Sequence, residues 1–569
     1  MTESRARASR RCRAPCIYVN AQGRVAVNRR LMEWLACSAS VVVLGACGGG
    51  DSSESDSVVL HRGNMAEPFS LDPHKASGTW ENDIIGDMFI GLFTEDAEGE
   101  PVPGMAESWE VSDDGLIWTF RLREASWSDG EPVTAHDFEY ALRRILDPAT
   151  LANYASLLYP IKNAEAVNKG DLTPEELGVR AVDDLTLEIE LEFPAPYLPG
   201  LLAHYTTFPV PMHVVEQYGD AWVQPAYIET NGAYKLVRWR ANDYVHLTRN
   251  ESFYANEDVC IDDVFFYPTV DVQAAERRVR NGELDVITDV AGQNLEFLRE
   301  QVPEYVRVHA YLGTRYLAYN TQIAPLDDER VRQALSMAID THFIAEEILR
   351  DGSMPACSFV PPGVADYPGG ASVPWCDVPI EARRDEARRL LEEAGFGPQN
   401  PLELEYTFRA TGDNPRIAPV LQRDWAEIAD WVDISIAQIE TQIHYSNLRA
   451  GDYEIGDGAW IGDYNDAYNF LFLGESTSVP MNYSRWSNDE YDALIRQANR
   501  ELDSSERAEL LSEAESILLE EAPYAPVTFY VNKALVNPRV TGWEDNVVHI
   551  HRTRYLCFSD VEQSNAAGE

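Results

Sequence analysis

The sequence predicts a mixed α/β chain (α/β or α+β) that folds into more than one lobe. Two segments, 116–123 and 185–193, alternate apolar with polar residues, which is typical of antiparallel strands with one face in water. Two others, 387–394 and 510–518, carry apolar residues at helical spacing. About 520 residues follow Cys47, enough for two or more lobes with full cores.

The predicted strands differ in how clearly their faces can be read. The first, 116–123, places apolar residues on one face and basic residues on the other, and the second, 185–193, alternates at every position. Asn231-Gly232 predicts a turn before a third strand at 235–239. A short strand is also expected at 547–551, with two histidines on one face.

The predicted helices are recognised by their ends. The apolar stripe over 387–394 stops at Gly395, a residue type favoured directly after a helix. The stripe over 510–518 is preceded by Asp503, a candidate N-cap, with Glu506 as its acidic partner three residues later. Strands mixed with helices over this length therefore predict lobes that contain both.

Residues 1–46 are predicted to be a secretory leader. Arg29 and Arg30 precede an apolar run over 35–44, and small residues follow it. The run is too short to span a bilayer comfortably. A start of translation at Val27 would give this leader an ordinary length.

Cys47 directly follows Leu44-Gly45-Ala46, a pattern that resembles the bacterial lipoprotein signal. In such proteins the cysteine carries lipid, palmitate included, and becomes the mature N-terminus. Residues 47–57 would then be a flexible tether. The lipid would hold the protein on the periplasmic or cell-surface side of a bacterial membrane.

The chain is strongly acidic. Its net charge is −48, and the part after residue 46 holds 38 basic against 92 acidic residues. Nucleic-acid binding requires a basic face, so this charge excludes that class of partner. It favours solubility rather than any particular fold.

Four cysteines follow the lipid site, and an exported protein is expected to pair them. Three pairings exist. We favour Cys357 with Cys376, because this bridge would close a loop rich in proline and glycine, and Cys260 with Cys557 then follows by default. No Cys-x-x-Cys is present, which argues against a redox or zinc site.

No catalytic motif supports an enzyme. The chain lacks a P-loop, His-Glu-x-x-His and Gly-x-Ser-x-Gly, and no cofactor is expected. His549 and His551 could share a metal ion, but with no third ligand in sight such a pair is more often a surface or packing feature. We therefore predict neither a catalytic nor a metal site.

Six stretches form an ordered set that runs from about 58 to 555: 70–75, 106–138, 230–234, 331–335 with Asn320, 460–466 and 530–532. The set resembles family 5 of the bacterial extracytoplasmic solute-binding proteins, the oligopeptide- and dipeptide-binding lipoproteins of ABC importers. One stretch alone would be weak. Their order along nearly the whole mature chain makes chance unlikely.

The resemblance implies a two-lobed, periplasmic-binding-protein-like fold with an additional inserted domain and a cleft that closes by a hinge. Lobe I would comprise 58–89, 214–312 and 531–560. The inserted domain would be 90–213, and lobe II would be 313–530. The two crossovers between the lobes would form the hinge.

The resemblance also implies a binding site. In the family an aspartate of a Trp-x-x-Asp-Tyr-Asn motif binds the α-ammonium group of the peptide, and Asp463 occupies that place. Trp460 would be the aromatic wall beside it. Two segments would offer backbone groups to an extended peptide, and three tyrosines would line the cleft: Ala459, Trp460 and Ile461; Ser77, Gly78 and Thr79; Tyr154, Tyr311 and Tyr316.

Three positions depart from close relatives in the family. Asp457 stands where they place an arginine for the peptide carboxylate, and Thr441 and Ser77 stand where they have tryptophan and glutamate. Carboxylate recognition could pass to Arg315 or Arg449. Alternatively, Asp457 could favour basic ligands.

The sequence therefore predicts a lipid-anchored, monomeric binding protein. It would capture short peptides and deliver them to ABC permease subunits with cytoplasmic ATPases. Because one fold serves several solutes, a dipeptide, a murein peptide or a nickel chelate stays an alternative, as does a peptide-sensing receptor. The missing motifs disfavour a secreted hydrolase.

Overall fold

One large mixed sheet runs through the computed structural model, which describes residues 57–478 and 481–560. The leader, Cys47 and nearly all of the tether lie outside these residues. Ten of its strands lie side by side in this order: Val432–Ile439, Leu402–Arg409, Ile455–Ile461, Val306–Tyr319, Tyr524–Val536, Val286–Ile287, Val59–Gly63, Asp263–Tyr267, Tyr244–Arg249 and Tyr234–Arg240. A short additional strand, Met354–Pro355, pairs with Tyr524–Val536.

Two long antiparallel strands, Val306–Tyr319 and Tyr524–Val536, connect the parts of this sheet. The pairing between them is interrupted between Ala310 and Thr314. The first strand then pairs with Ile455–Ile461 on its other side. Both boundaries predicted between the lobes fall inside these two strands, so a hinge there would bend a continuous pair. The division into lobes remains a prediction.

A second sheet belongs entirely to the segment predicted as the inserted domain. Its four antiparallel strands follow the order Ala106–Val111, Ile117–Leu122, Thr186–Glu190, Val179–Asp183. The strands predicted at 116–123 and 185–193 are therefore confirmed. Their alternation is visible in the burial of Trp118 and Phe120, which face the core, while Ile117 and Arg121 are exposed.

The predicted helices are present with the expected ends. Gly395, at φ +96°, follows Ile380–Glu393, and the Asp503 carboxylate accepts from the backbone N–H of Glu506 at 3.1 Å. The α-helices are Thr79–Met88, Ala135–Leu146, Ala164–Lys169, Leu198–Ala203, Met212–Tyr218, Val272–Arg280, Leu295–Gln301, Glu329–Met337, Thr341–Phe343, Ile380–Glu393, Asn414–Ala426, Thr441–Ala450, Tyr468–Leu471, Asp489–Ala498 and Ser504–Glu521, and Ile344–Leu349 is a π-helix.

The strand predicted at 547–551 is wrong, because this segment is a loop. His549 lies in the left-handed region at φ +57°, which a strand does not permit. Asn546 fixes the loop instead. Its side-chain amide donates to the carbonyl oxygen of Ile550 at 2.9 Å and accepts from the Ile550 N–H at 3.2 Å.

Both disulfides expected from the sequence are present. Cys357 pairs with Cys376 at a Cα–Cα distance of 5.6 Å, and Cys260 pairs with Cys557 at 5.3 Å. The second bridge ties the segment after the large sheet to a loop far earlier in the chain.

Among the described residues, no helix combines the length and apolar character needed to cross a membrane.

Separate cores pack on different parts of the large sheet. One extends from Leu60 to Phe558 and includes Tyr197. Two others consist of residues within 312–527. Tyr468 packs against the first core and against one of the other two, so the two parts of the molecule meet at this side chain.

Candidate functional site

A cavity of about 790 Å³ lies between residues 153–201 on one side and 460–481 on the other. Aromatic rings from both sides form its walls and touch each other. Tyr197 stacks on Tyr464 and on Tyr468, with ring centroids 5.2 Å apart in both pairs. A concave, largely apolar space with a few polar groups is the usual form of a small-ligand site.

Asp463 is the residue that gives this cavity its charge. It lies just beyond the strand Ile455–Ile461, in a turn held by a hydrogen bond of 2.8 Å from the Gly462 N–H to the Leu312 carbonyl oxygen. Within the described residues its carboxylate has neither a hydrogen bond nor an ion pair. Burial raises the pKa of Asp463 to about 6. A carboxylate in this position would gain most from a cationic ligand.

Trp460 and Ile461, predicted with Asp463, also line the cavity. The Trp460 indole N–H donates to the Asn469 side-chain oxygen at 3.0 Å, and its ring meets Phe472 edge-on at 5.2 Å. These contacts fix the indole plane. Ala459 lies one residue earlier in the strand and is not among the described residues that line the cavity.

Two of the three predicted tyrosines lie near Asp463. Tyr154 lines the cavity. Burial, and then the negative charge of Asp463, raise the pKa of Tyr154 to about 12, and the same two causes raise the pKa of Tyr311 to about 12. The structure does not bring Tyr316 to the cavity. Its ring is fully buried against that of Tyr524, with the ring centroids 5.1 Å apart.

The predicted backbone donors at 77–79 do not line this cavity, and two of them are already bonded. The Glu81 carboxylate accepts from the N–H of Ser77 at 2.8 Å and of Gly78 at 2.9 Å. Its other oxygen accepts from Phe69 and Ser70. Thr79 starts the following helix. Glu81 was not predicted from the sequence, although a glutamate at the third helical position is a recognised capping signal.

Asp457 is not a free acidic group. It is 1% exposed and forms an ion pair of 2.6 Å with Arg409, which also donates to the Tyr445 hydroxyl at 2.7 Å. The interpretation that Asp457 favours basic ligands therefore loses its basis, because its charge is already neutralised.

The two arginines suggested for carboxylate recognition differ in environment. Arg315 is buried over the Tyr530 ring at 5.0 Å, and its Nε and Nη1 have no hydrogen-bond partner in the described residues. Arg449 is exposed on the helix Thr441–Ala450. Of these two arginines, Arg315 is the one that is buried with donors lacking a partner in the described residues.

Two further carboxylates reach the cavity and were missed from the sequence. Burial raises the pKa of Glu475 to about 7, and this side chain accepts from the Tyr468 hydroxyl at 3.1 Å. Glu165 lies on the opposite wall. Among the described lining residues there is no lysine, arginine or histidine. In a chain this rich in acidic residues, no sequence signal distinguishes these glutamates.

Comparison with known proteins identifies the family. Residues 100–480 match the family model described as bacterial extracellular solute-binding proteins, family 5 middle. The chain is 37% identical over 498 residues to the periplasmic oligopeptide-binding protein OppA of Salmonella typhimurium, which covers 86% of this chain and 90% of that protein.

Two solved structures share the fold. The unliganded open form of MppA, a periplasmic murein tripeptide binding protein, superposes with a TM-score of 0.81 at 36% identity, covering 89% of this chain and 98% of that one. Haemophilus influenzae OppA in complex with RPPGFSPFR gives 0.72 at 33% identity, covering 89% and 99%. The family resemblance and the two-lobed fold expected from the sequence are confirmed. The chain belongs to family 5 of the bacterial extracellular solute-binding proteins, which bind their ligands and are not enzymes.

Proposed function

We propose that this protein is the substrate-binding component of an ABC importer and that it captures short oligopeptides by holding their α-ammonium group on Asp463. The observation that carries the proposal is the environment of this carboxylate. It faces an aromatic cavity, has no partner among the described residues, and shares the cavity walls with no basic side chain.

The ammonium group of a peptide would stabilise the Asp463 carboxylate. A carboxylate with little water around it is costly until a cation pairs with it, and a charge-assisted hydrogen bond then gains strength from the low local dielectric. The Trp460 ring would add a cation–π contribution. Of the two remaining carboxylates of the walls, Glu165 is already paired with Lys169 at 2.6 Å, whereas Glu475 has no ion pair among the described residues and also favours a cationic ligand over an anionic one.

Arg315 supports a peptide as the ligand, because it offers a place for the other terminus. In the large sheet Arg315 lies opposite Ala459, four residues before Asp463. Because Asp463 lies in the turn beyond the strand Ile455–Ile461, it is at most roughly 13 Å from Ala459, a span that an extended peptide of about four residues can cover. The unused Nε and Nη1 donors of Arg315 are suited to a carboxylate.

The proposal also includes where the protein is located and which protein it contacts. Its relatives are named periplasmic proteins. A lipid on Cys47 would keep the protein beside its permease, and it would act as a monomer. The higher TM-score to an unliganded open form than to a peptide complex supports an open arrangement of the lobes, which a peptide would close.

A murein tripeptide is the second candidate ligand. It is favoured by the TM-score of 0.81 to a protein named for binding it. The unpaired Asp463 would serve either ligand if a free ammonium group is present, so only measurement of affinity separates the two.

The test is calorimetric binding with protein that lacks residues 1–47. Peptides of three to five residues, their N-acetylated and C-amidated forms, and a murein tripeptide would be titrated into the wild type, Asp463→Asn and, as a control in the same cavity, Glu475→Gln. We expect acetylation or Asp463→Asn to weaken binding at least 100-fold and Glu475→Gln to retain it. Binding that tolerates acetylation would refute the ammonium anchor, and tighter binding of the murein tripeptide would favour the second candidate.

A further inference from the structure

Three histidines from distant parts of the chain meet beside the strand Val306–Tyr319. One ring nitrogen from each of His309, His549 and His551 lies within 4.8 Å of the other two. The sequence offered only the last two, without a third ligand. We propose that these three imidazoles form a binding site for one divalent transition-metal ion of the zinc type.

The backbone hydrogen bonds of two of these rings fix which of their nitrogens carries the lone pair. His309 Nδ1 lies 3.1 Å from the carbonyl oxygen of Ala310, and His549 Nε2 lies 3.2 Å from that of Thr288. A carbonyl oxygen only accepts, so these nitrogens carry the protons. The lone pairs are then on His309 Nε2 and His549 Nδ1. His549 Nδ1 accepts a hydrogen bond from His551 Nε2 at 3.3 Å, and a metal ion would take the place of the proton between these two nitrogens. A backbone carbonyl that orients a ligating imidazole in this way is the usual support of a metal site.

The His309 nitrogen is the strongest sign that a ligand is missing. His309 Nε2 is buried and has no hydrogen-bond partner among the described residues. A buried polar atom in this state calls for a water molecule or an ion. Its immediate neighbours along the chain, Val308 and Ala310, offer it no polar side chain.

The distances suit tetrahedral nitrogen coordination. His551 Nε2 lies 3.3 Å from His549 Nδ1. Two nitrogens bound tetrahedrally to zinc at about 2.0–2.1 Å are about 3.3–3.4 Å apart. The His551 ring is held by stacking on Trp543 at 3.6 Å. His309, whose ring nitrogen lies within 4.8 Å of the other two, is therefore the ring that would move to complete the set.

A fourth ligand and an entry path are available on the same side. A carboxylate oxygen of Asp545 lies 4.0 Å from His309 Nε2, and its side chain is 34% exposed. Arg62, a neighbouring cation, donates to the His551 carbonyl oxygen at 2.8 Å. Asp83, 3.9 Å from Arg62, offsets this charge. Imidazole nitrogen with one carboxylate favours zinc and its neighbours over calcium or magnesium.

An ion at this site would tie the loop that carries His549 and His551 to the strand Val306–Tyr319 of the large sheet. His309 lies directly before the interrupted pairing at Ala310. The loop with His549 already contacts the same strand, since the Leu312 N–H donates to the Val547 carbonyl oxygen at 2.9 Å. Metal binding should therefore stabilise the folded chain.

The experiment is a titration of chelator-treated, purified protein with zinc chloride, followed by calorimetry, and with cobalt(II), followed by visible absorption. We expect one ion per chain, micromolar affinity or tighter, the absorption of tetrahedral cobalt, and a higher midpoint of thermal unfolding in zinc. His309→Gln and His549→Asn should each weaken zinc binding at least 100-fold and remove the thermal shift. Asparagine suits the left-handed backbone at 549.

His342→Gln is the matched control, because this histidine is 62% exposed and remote in sequence from the cluster. It should bind zinc as the wild type does. If His549→Asn fails to fold, His309→Gln, at the partly exposed edge of the cluster, still decides the question. Absence of stoichiometric binding, or binding that survives both substitutions, would overturn the proposal.

Discussion

Asp463 and Asp466 lie in one turn, and their surroundings separate their roles. Asp466 accepts two hydrogen bonds from the Arg507 guanidinium, at 2.7 and 2.8 Å, and one from the Tyr468 N–H at 2.8 Å. These contacts neutralise the charge of Asp466 within the folded chain. Asp463 has no such partner in the described part of the chain, so it is the carboxylate that remains for a ligand.

Peptide affinity should fall about tenfold between pH 7 and pH 5, because Asp463 must be ionised to hold an ammonium group. Burial raises the pKa of Asp463 to about 6, so the carboxyl is mostly ionised at pH 7 and mostly protonated at pH 5. The peptide amino group, with a pKa of about 8, stays charged at both values. Calorimetry at the two pH values measures the effect.

Glu475 needs its own control in this experiment, because burial raises its pKa to about 7 and it faces the same cavity. Glu475→Gln should keep the tenfold change, whereas Asp463→Asn should bind weakly at both pH values. An affinity that does not vary with pH, or a variation that disappears in Glu475→Gln, would contradict the assignment to Asp463.

The ion pair of Asp457 with Arg409 should be important for stability. Asp457→Ala leaves a buried guanidinium without its counter-charge, and such a loss costs about 3–5 kcal/mol. Arg389→Gln is the comparison, since the pair of Arg389 with Glu386 is half exposed and contributes under ~1 kcal/mol. Urea unfolding measures both. Equal effects from the two substitutions would mean that Asp457 and Arg409 do not depend on each other.

At the scale of single elements, the helix Thr79–Met88 depends on one side chain at its start. Glu81 accepts from the N–H groups of four residues, Phe69, Ser70, Ser77 and Gly78. Loss of a cap costs about 0.5–2 kcal/mol, and here the preceding loop loses its anchor as well. We expect Glu81→Ala to destabilise the protein by about 2 kcal/mol and to speed amide hydrogen exchange over 69–78.

Glu176→Ala is the control for this prediction. Glu176 caps an exposed short turn by accepting from the Thr173 N–H at 2.9 Å, far from the loop that Glu81 holds. It should leave exchange over 69–78 unchanged. Unaltered exchange there in Glu81→Ala would mean that the backbone holds the loop without this carboxylate.

Elements with one face in water could be predicted from the sequence, and elements buried on both faces could not. The strand Ile117–Leu122 alternates in burial as its residues alternate in polarity. Every residue of 312–319 is buried, so polarity gives no sign of which way each side chain points. The interrupted pairing after Ala310 also changes the register. Tyr311 and Tyr316 of this strand could therefore be predicted only from the family resemblance.

Groups of residues that folding brings together from distant segments could not be predicted from the sequence either. His549 and His551 were visible as a pair, but the alternation that suggested a strand does not report the left-handed backbone at His549. His309 joins them only through folding. Likewise Tyr197 and Glu475 come from separate segments and both line the cavity. The sequence around either residue does not predict this.

For the whole molecule, the cavity is formed by two segments that also contact each other directly. Tyr197 stacks on Tyr464, and the Asn465 side-chain amide donates to Glu100 at 3.2 Å. These contacts connect the segment before residue 202 to the one after residue 460. A ligand that touches both walls gains contacts in a closed arrangement that it lacks in an open one, and this difference is what shifts the equilibrium.

A peptide should therefore close the molecule, and Asp463 should be necessary for it. Anchoring the ammonium group places the rest of the peptide against both walls, so binding and closure are coupled. We expect small-angle scattering to show a smaller radius of gyration with a bound tetrapeptide than without it. The free energy of unfolding should rise by about 2.7 kcal/mol at a peptide concentration 100 times Kd.

The N-acetylated peptide at the same concentration is the control, and it should leave both quantities unchanged. Asp463→Asn with the unmodified peptide should give the same negative result for the same reason. A ligand that stabilises without closing shows that it gains all its contacts in the open arrangement. If calorimetry detects tight binding while the radius of gyration stays constant, the peptide lies on one wall only, and closure is not part of its capture.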